Sequence, residues 1–276
     1  MSKYGALRTS PLAIAESFWR NRQLIWQMTH REVVGRYRGS FMGLAWSFFH
    51  PLFMLCVYTF VFSVVFKTRW GIGVGESKAG FAITLFVGMI IHGLFAECIN
   101  SAPGLIISNV NYVKKVVFPL EIFPVVAMTT ALFQAAVSLA VLLAALVVTN
   151  GCLPWTVLLL PIVVLPLAVA TLGGAWFLAA IGVFARDIGQ ITGVFTVAML
   201  FLAPVFYPVA ALPKEYQPWI MANPLTFVIE QTRAVLIAGQ LPDWKGLVLY
   251  TFASVIIAWA GFWWFQKTRK GFADVL

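Results

Sequence analysis

Of 276 residues, 61% are apolar and only 11% are charged, while the formal net charge is +9. That composition excludes a soluble globular domain, and at about 20 residues per bilayer-spanning helix the chain has room for about six crossings and no separate soluble domain. Cys56, Cys98 and Cys152 have no metal-ligand spacing and read as small buried apolar residues in or beside the spans.

The amino-terminal segment 1–38 lacks the short apolar core and small-residue cleavage site of a secretory signal, so the first span is expected to remain as an anchor. Ser10 and Pro11 suit the cap and first turn of a helix. Beyond them Phe18, Trp19, Ile25, Trp26, Val33 and Tyr37 recur at intervals of seven or four, and Arg20, Arg22, Arg31, Arg36 and Arg38 supply a basic face. The pattern predicts an interfacial amphipathic helix, whole or broken, suited equally to gripping anionic headgroups and to meeting a cytoplasmic partner.

Uncharged stretches then set out an all-α integral membrane protein of six spans, at about 39–66, 79–98, 122–149, 154–185, 188–208 and 246–266. The third and fourth share one uncharged run from Ile122 to Ala185, divided into a helical hairpin by the turn formers Asn150, Gly151 and Pro154. With both termini inside, thirteen of the 19 Lys and Arg residues flank the spans on the cytoplasmic side, so the net charge is mainly a topology signal. Nucleic-acid binding explains it less well, because no basic stripe with interleaved aromatics lies outside the spans.

Three connections stand out. Segment 99–120 carries Leu105, Ile106, Ile107, Val110 and Tyr112 beside Lys114 and Lys115, the composition of a short helix lying flat on the membrane. The next cytoplasmic turn is only Arg186 and Asp187, suited to capping the following helix or to contacting a subunit. In the outer segment 209–245 and just ahead of it, Pro204, Pro208 and Pro213 interrupt the fifth helix. Tyr216 to Ile229 then gives fourteen uncharged residues, too few to cross, with Asn223 and Pro224 placed to turn the chain. Glu230 and Arg233, three apart, would face each other on a helix. A re-entrant gate of two short helices and a compact outer loop with a surface ion pair both fit these features.

The chain has no Gly-rich phosphate loop ending in Lys and Ser or Thr, no paired carboxylates within a span, and three scattered histidines, His30, His50 and His92. No cofactor or metal is therefore expected on the chain. An ion-coupled carrier would normally place ionisable groups at mid-membrane, whereas Glu97 lies at a span end and His50 and His92 read as helix-packing residues. The pathway is expected to be driven from outside the chain.

Arg36-Tyr-Arg-Gly-Ser-Phe-Met-Gly-Leu-Ala-Trp46 followed by His50-Pro51-Leu52 resembles the start of the first span in type-2 ABC exporter permeases for polysaccharides. Lys114-Lys-Val-Val-Phe-Pro-Leu-Glu-Ile-Phe-Pro124 is similar to their coupling segment. Arg186-Asp187-Ile188, Ala203-Pro204-Val205-Phe206-Tyr207-Pro208, and Asn223-Pro224-Leu225 with Arg233 complete the pattern in order over nearly the whole chain. The resemblance implies a homodimer in the bacterial cytoplasmic (inner) membrane, joined to two separate ATPase subunits that carry the ATP and Mg. The substrate it implies is a lipid-linked glycan of the O-antigen, capsule or teichoic-acid type. It casts Arg31, Glu32, Arg36, Arg38, Asn109, Lys114, Lys115, Arg186 and Asp187 as ATPase-coupling residues, and Pro204, Tyr207, Asn223, Pro224, Glu230 and Arg233 as the outer gate.

Trp46, Phe49, Phe53 and Phe60 share one side of the first span. Such a stripe serves as a glycan track, as a lipid-facing surface or as packed filler. The rival readings are a permease of the same architecture for a drug or another lipid, an ion-coupled flippase, and a membrane scaffold.

Overall fold

The computed structural model describes residues 11–61, 78–114 and 118–276. No strand occurs among these residues. The chain opens with α1 (Pro11–Arg20) and α2 (Arg22–Tyr37), separated at Asn21, whose side-chain amide donates to the carbonyl of Ser17 at 2.9 Å. The expected amphipathic helix is thus broken, and its apolar residues form two stripes. Phe18, Ile25, Val33 and Tyr37 turn toward the bundle, whereas Trp19 and Trp26 are exposed and the Arg22 guanidinium lies 4.9 Å over the Trp19 ring. Hydrogen bonds from α2 to the helix Ile122–Asn150 hold it down: the Thr29 and Thr129 hydroxyls are 2.7 Å apart, and the Tyr37 hydroxyl donates to Gln134 Oε1 at 3.1 Å.

Next comes α3 (Trp46–Phe60), shorter than the expected span 39–66. Residues 39–45 are turns and a 3-10 helix, with Gly39 at φ 86° and Gly43 at φ 52°, where only glycine sits without strain. The far end of that span lies outside the described residues. Pro51 has no N–H for the carbonyl of Ser47, and the Gln134 side-chain amide donates to that carbonyl at 3.3 Å instead.

Among the described residues, four helices are long and apolar enough to cross a bilayer. They are α4 (Lys78–Ser101), α6 (Ile122–Asn150), α7 (Leu160–Phe184) and α11 (Trp244–Thr268), with the five-residue α5 (Val110–Lys114) after α4. The hairpin turn between α6 and α7 falls where its punctuation predicts: Gly151 ends α6 at φ 76°, and Pro154 precedes a 3-10 turn leading into α7. Asp243 caps α11, its side chain accepting from the N–H groups of Lys245 and Gly246 at 3.1 and 3.2 Å. The central helix is α4, 72% of whose apolar window is buried, against 22% for α6. Against it pack α3, α6, α7, α8 (Ile188–Phe201) and α10 (Pro224–Leu236), with α9 (Gln217–Met221) before α10 and α12 (Phe272–Val275) ending the chain.

The tightest seam joins α7 to α11. A Cβ built on Gly261 would lie 2.0 Å from the Gly173 carbonyl oxygen, and one on Gly173 would lie 2.6 Å from that of Ile257. Farther along α7, a Cβ on Gly182 would lie 2.2 Å from the Pro103 carbonyl oxygen. Small residues allow backbones to touch where no hydrophobic force drives helices together in lipid. Replacing Gly261 by Ala must push α7 and α11 apart, a forced overpacking that costs about 1–3 kcal/mol. A lowered unfolding temperature of the detergent-purified protein is expected for Gly261→Ala. Gly189→Ala on α8, where a Cβ meets open space, should leave that temperature unchanged.

Candidate functional site: a basic end and a proline-rich end

The antiparallel bundle gathers the candidate residues at its two ends. The basic end holds α1, α2, α5, the α7–α8 turn and the end of α11. Arg31, Glu32, Arg38, Lys114, Arg186 and Asp187 are all exposed there, and Lys115 lies outside the described residues. Arg36 is committed internally, its guanidinium 2.6 Å from the carboxylate of Glu97 on α4. Asn109, half-buried, donates to the carbonyl of Leu105 at 2.8 Å and so closes a turn ahead of α5.

Beneath these side chains lies a polar joint that the sequence reading does not identify. Glu121, 6% exposed, receives Arg269 at 2.7 Å and the Ser17 hydroxyl at 3.2 Å. Its backbone carbonyl accepts from the Trp176 indole at 2.9 Å, and Arg269 also donates to the carbonyl of Phe118 at 2.6 Å. Glu121 therefore connects α1 and Arg269 through its carboxylate and α7 through its backbone carbonyl. Its partners lie 104, 55 and 148 residues away in sequence, which no local pattern encodes.

At the proline-rich end, α8 stops at Phe201, short of the 208 expected for the fifth span, and the chain turns before α9 and α10. Pro204 and Pro208 have no N–H to continue the helix. Arg233, only 7% exposed, pairs two carbonyls of this turn and one on α4: Nη1 donates to Pro204 at 2.7 Å, Nη2 to Val205 at 3.2 Å and Nε to Thr84 at 3.1 Å. Nη1 also meets Glu230 at 2.9 Å. This differs from a surface ion pair, because the cation is enclosed while Glu230 stays partly exposed. Burial lowers the Arg233 pKa to about 10, with Glu230 acting the other way, so the side chain is cationic at neutral pH.

The break between α9 and α10 falls at Asn223 and Pro224. The Asn223 side chain accepts from the Leu225 N–H at 2.9 Å and donates to the carbonyl of Leu202 at 3.1 Å, capping one helix and tying it to the end of another. Tyr207 donates its hydroxyl to the carbonyl of Phe201 at 2.7 Å.

The aromatic stripe on α3 is not packed filler. Ser47, Pro51 and Leu55 form the buried face, whereas Trp46, Phe49, Phe53 and Phe60 are 43–68% exposed. Of the cysteines only Cys98 is buried, whereas Cys56 is exposed on α3 and Cys152 in the turn between α6 and α7. His92 packs helix on helix, its Nε2 lying 2.9 Å from the Thr196 carbonyl oxygen on α8, but His50 is exposed. Among the described residues no cluster of His, Cys, Asp and Glu could hold a metal ion.

Removing Arg233 strands its buried carbonyls as well as Glu230. Arg233→Gln is expected to lower stability by about 3–5 kcal/mol, the cost of breaking a buried charged network. Arg233→Lys, which keeps the charge but loses the planar fork, should fall between Gln and the native residue. Thermal unfolding of the three purified proteins measures the ranking.

Comparison with known proteins adds a second line. The chain is 28% identical over 265 residues to an O-antigen export system permease protein RfbA of Myxococcus xanthus, covering 95% of this chain and 99% of the relative. It is 23% identical over 251 residues to a Klebsiella pneumoniae protein of the same name, covering 90% and 93%. Against the polysialic acid transport protein KpsM of Escherichia coli it is 21% identical over 245 residues, covering 83% and 88%. Residues 23–237, from the start of α2 to the end of α10, match the ABC-2 type transporter family, to which this chain belongs.

Proposed function

We propose that this chain is the membrane-spanning subunit of an ATP-driven exporter moving a lipid-linked polysaccharide out across the bacterial cytoplasmic membrane. The carrying observation is end-to-end similarity to permeases named for O-antigen and polysialic acid export, in a chain belonging to the ABC-2 type transporter family. In this reading α3, α4, α6, α7, α8 and α11 are the six spans, and both termini are cytoplasmic. At 14 residues α8 is about 21 Å long, less than the hydrocarbon thickness of about 30 Å. The dip of α9 and α10 completes the outer leaflet beside it as a re-entrant gate.

Two copies of the chain enclose the path. The uncovered aromatic face of α3 supplies flat surfaces on which sugar rings stack without a fixed register, which suits a long polymer. Two separate ATPase subunits, which bind the ATP and Mg, dock at the basic end through Arg31, Glu32, Arg38, Lys114, Arg186 and Asp187. Their approach on binding ATP moves the permease halves as rigid bodies. Arg36 acts within the chain through Glu97, locking the end of α2 to α4, so its part in coupling is indirect.

The test is co-purification of the tagged chain from its native membrane. A nucleotide-binding subunit should accompany the native protein, and Lys114→Glu with Arg186→Glu should release it, since both residues are exposed and reversing them opposes the docking charge. Absence of any ATPase under mild extraction, with export in vesicles following an ion gradient after ATP is removed, would overturn the reading.

A further inference from the structure

Residues 269–276 lie beyond the ABC-2 match, which ends at residue 237. They are nevertheless built into the basic end. A 3-10 turn, Arg269–Gly271, leads from α11 into α12, and the Phe272 side chain is wholly buried. Its ring lies 6.0 Å from Phe184 at the end of α7 and 5.5 Å from Phe265 on α11. The α12 turn also packs against α5. Arg269 anchors the turn through Glu121 and the Phe118 carbonyl, directly before α6.

The tail therefore stands between two of the segments assigned to ATPase docking, α5 with Lys114 and the α7–α8 turn with Arg186. It also presents a surface of its own. Lys270, Ala273, Asp274 and Val275 are exposed, Val275 at 50%, while Phe272 points inward. A subunit that reaches both Lys114 and Arg186 has to pass over this surface. With Lys267 also exposed, the cations outnumber the single acid Asp274. We propose that residues 269–276 form a further contact element for the ATPase, in which Lys270 meets acidic groups and Val275 an apolar notch on that subunit.

The proposal rests on the reading of the chain as an ATPase-coupled permease, and the experiment separates the two. A photo-crosslinking amino acid is placed singly at Lys114, Lys270, Val275 and, as a lipid-facing reference, Leu249, in the intact membrane complex. Crosslinks to the ATPase from positions 114, 270 and 275 but not 249 are expected. Crosslinking from 114 alone overturns the tail's role and leaves the permease reading standing, whereas no crosslink from any position overturns both. In addition, Lys270→Glu with Val275→Asp should reduce ATPase retention at least tenfold with the unfolding temperature unchanged. Retention equal to the native protein's would count against the proposal.

Discussion

Hydrocarbon offers no hydrogen-bond partner to a backbone carbonyl, so a chain that breaks its helices within a bilayer must bring its own donors to the break. In the re-entrant arrangement proposed above, Arg233 meets that demand where α8 ends early, donating to Pro204 and Val205 there and to Thr84 on α4 from a single guanidinium. The planar fork matters as much as the charge, because three carbonyls on two separate segments are reached at once. Asn223 does the same on a smaller scale for the α9–α10 break, and the Thr156 hydroxyl donates to the Val235 carbonyl at 2.6 Å near the end of α10. At Pro51 the donor is Gln134 on a neighbouring helix. Irregular backbone in this protein is thus tolerated where a specific side chain pairs it.

The second determinant is closeness of approach. Gly173 against Gly261 and Gly182 against Pro103 leave no room for a Cβ, so α7, α11 and the turn after α4 form one tightly packed unit. Such a seam resists gradual deformation. By contrast α3 and α8 carry long exposed apolar faces, including Phe49 and Phe53 on the first and Val194 and Val197 on the second. In the dimer proposed above, movement between copies is accommodated along those faces more readily than across the glycine seam.

The two ends are built by different physics. At the proline-rich end a buried cation compensates irregular backbone. At the basic end Glu121 collects donors from α1 and Arg269 on its buried carboxylate and from α7 on its backbone carbonyl, and so places the amino- and carboxyl-terminal segments on one joint. Around it the Tyr112, Phe118 and Phe123 rings cluster at centroid distances of 4.6–5.8 Å and seat α5 on the start of α6. A displacement of α5 is therefore felt in three helices rather than in one loop.

The membrane character and the long apolar helices were legible from sequence because they depend on composition and local punctuation. Uncharged runs must be helical in lipid, and Asn150, Gly151 and Pro154 end one helix and begin the next wherever the rest of the chain lies. The pairing of Glu230 with Arg233 was legible for the same reason, being three residues apart on one helix. What composition could not convey was depth and partnership. Whether Arg233 was a surface ion or a buried donor, whether Arg36 was free or held by Glu97, and which stripe of α1 and α2 faced inward all depend on helices distant in sequence. The same is true of Glu121, whose neighbours are adjacent only once α1, α7 and α11 have packed. Local chemistry thus determined which segments become helices and where they break, while tertiary packing alone decided which charges are enclosed, because enclosure is a property of neighbours brought together from remote parts of the chain.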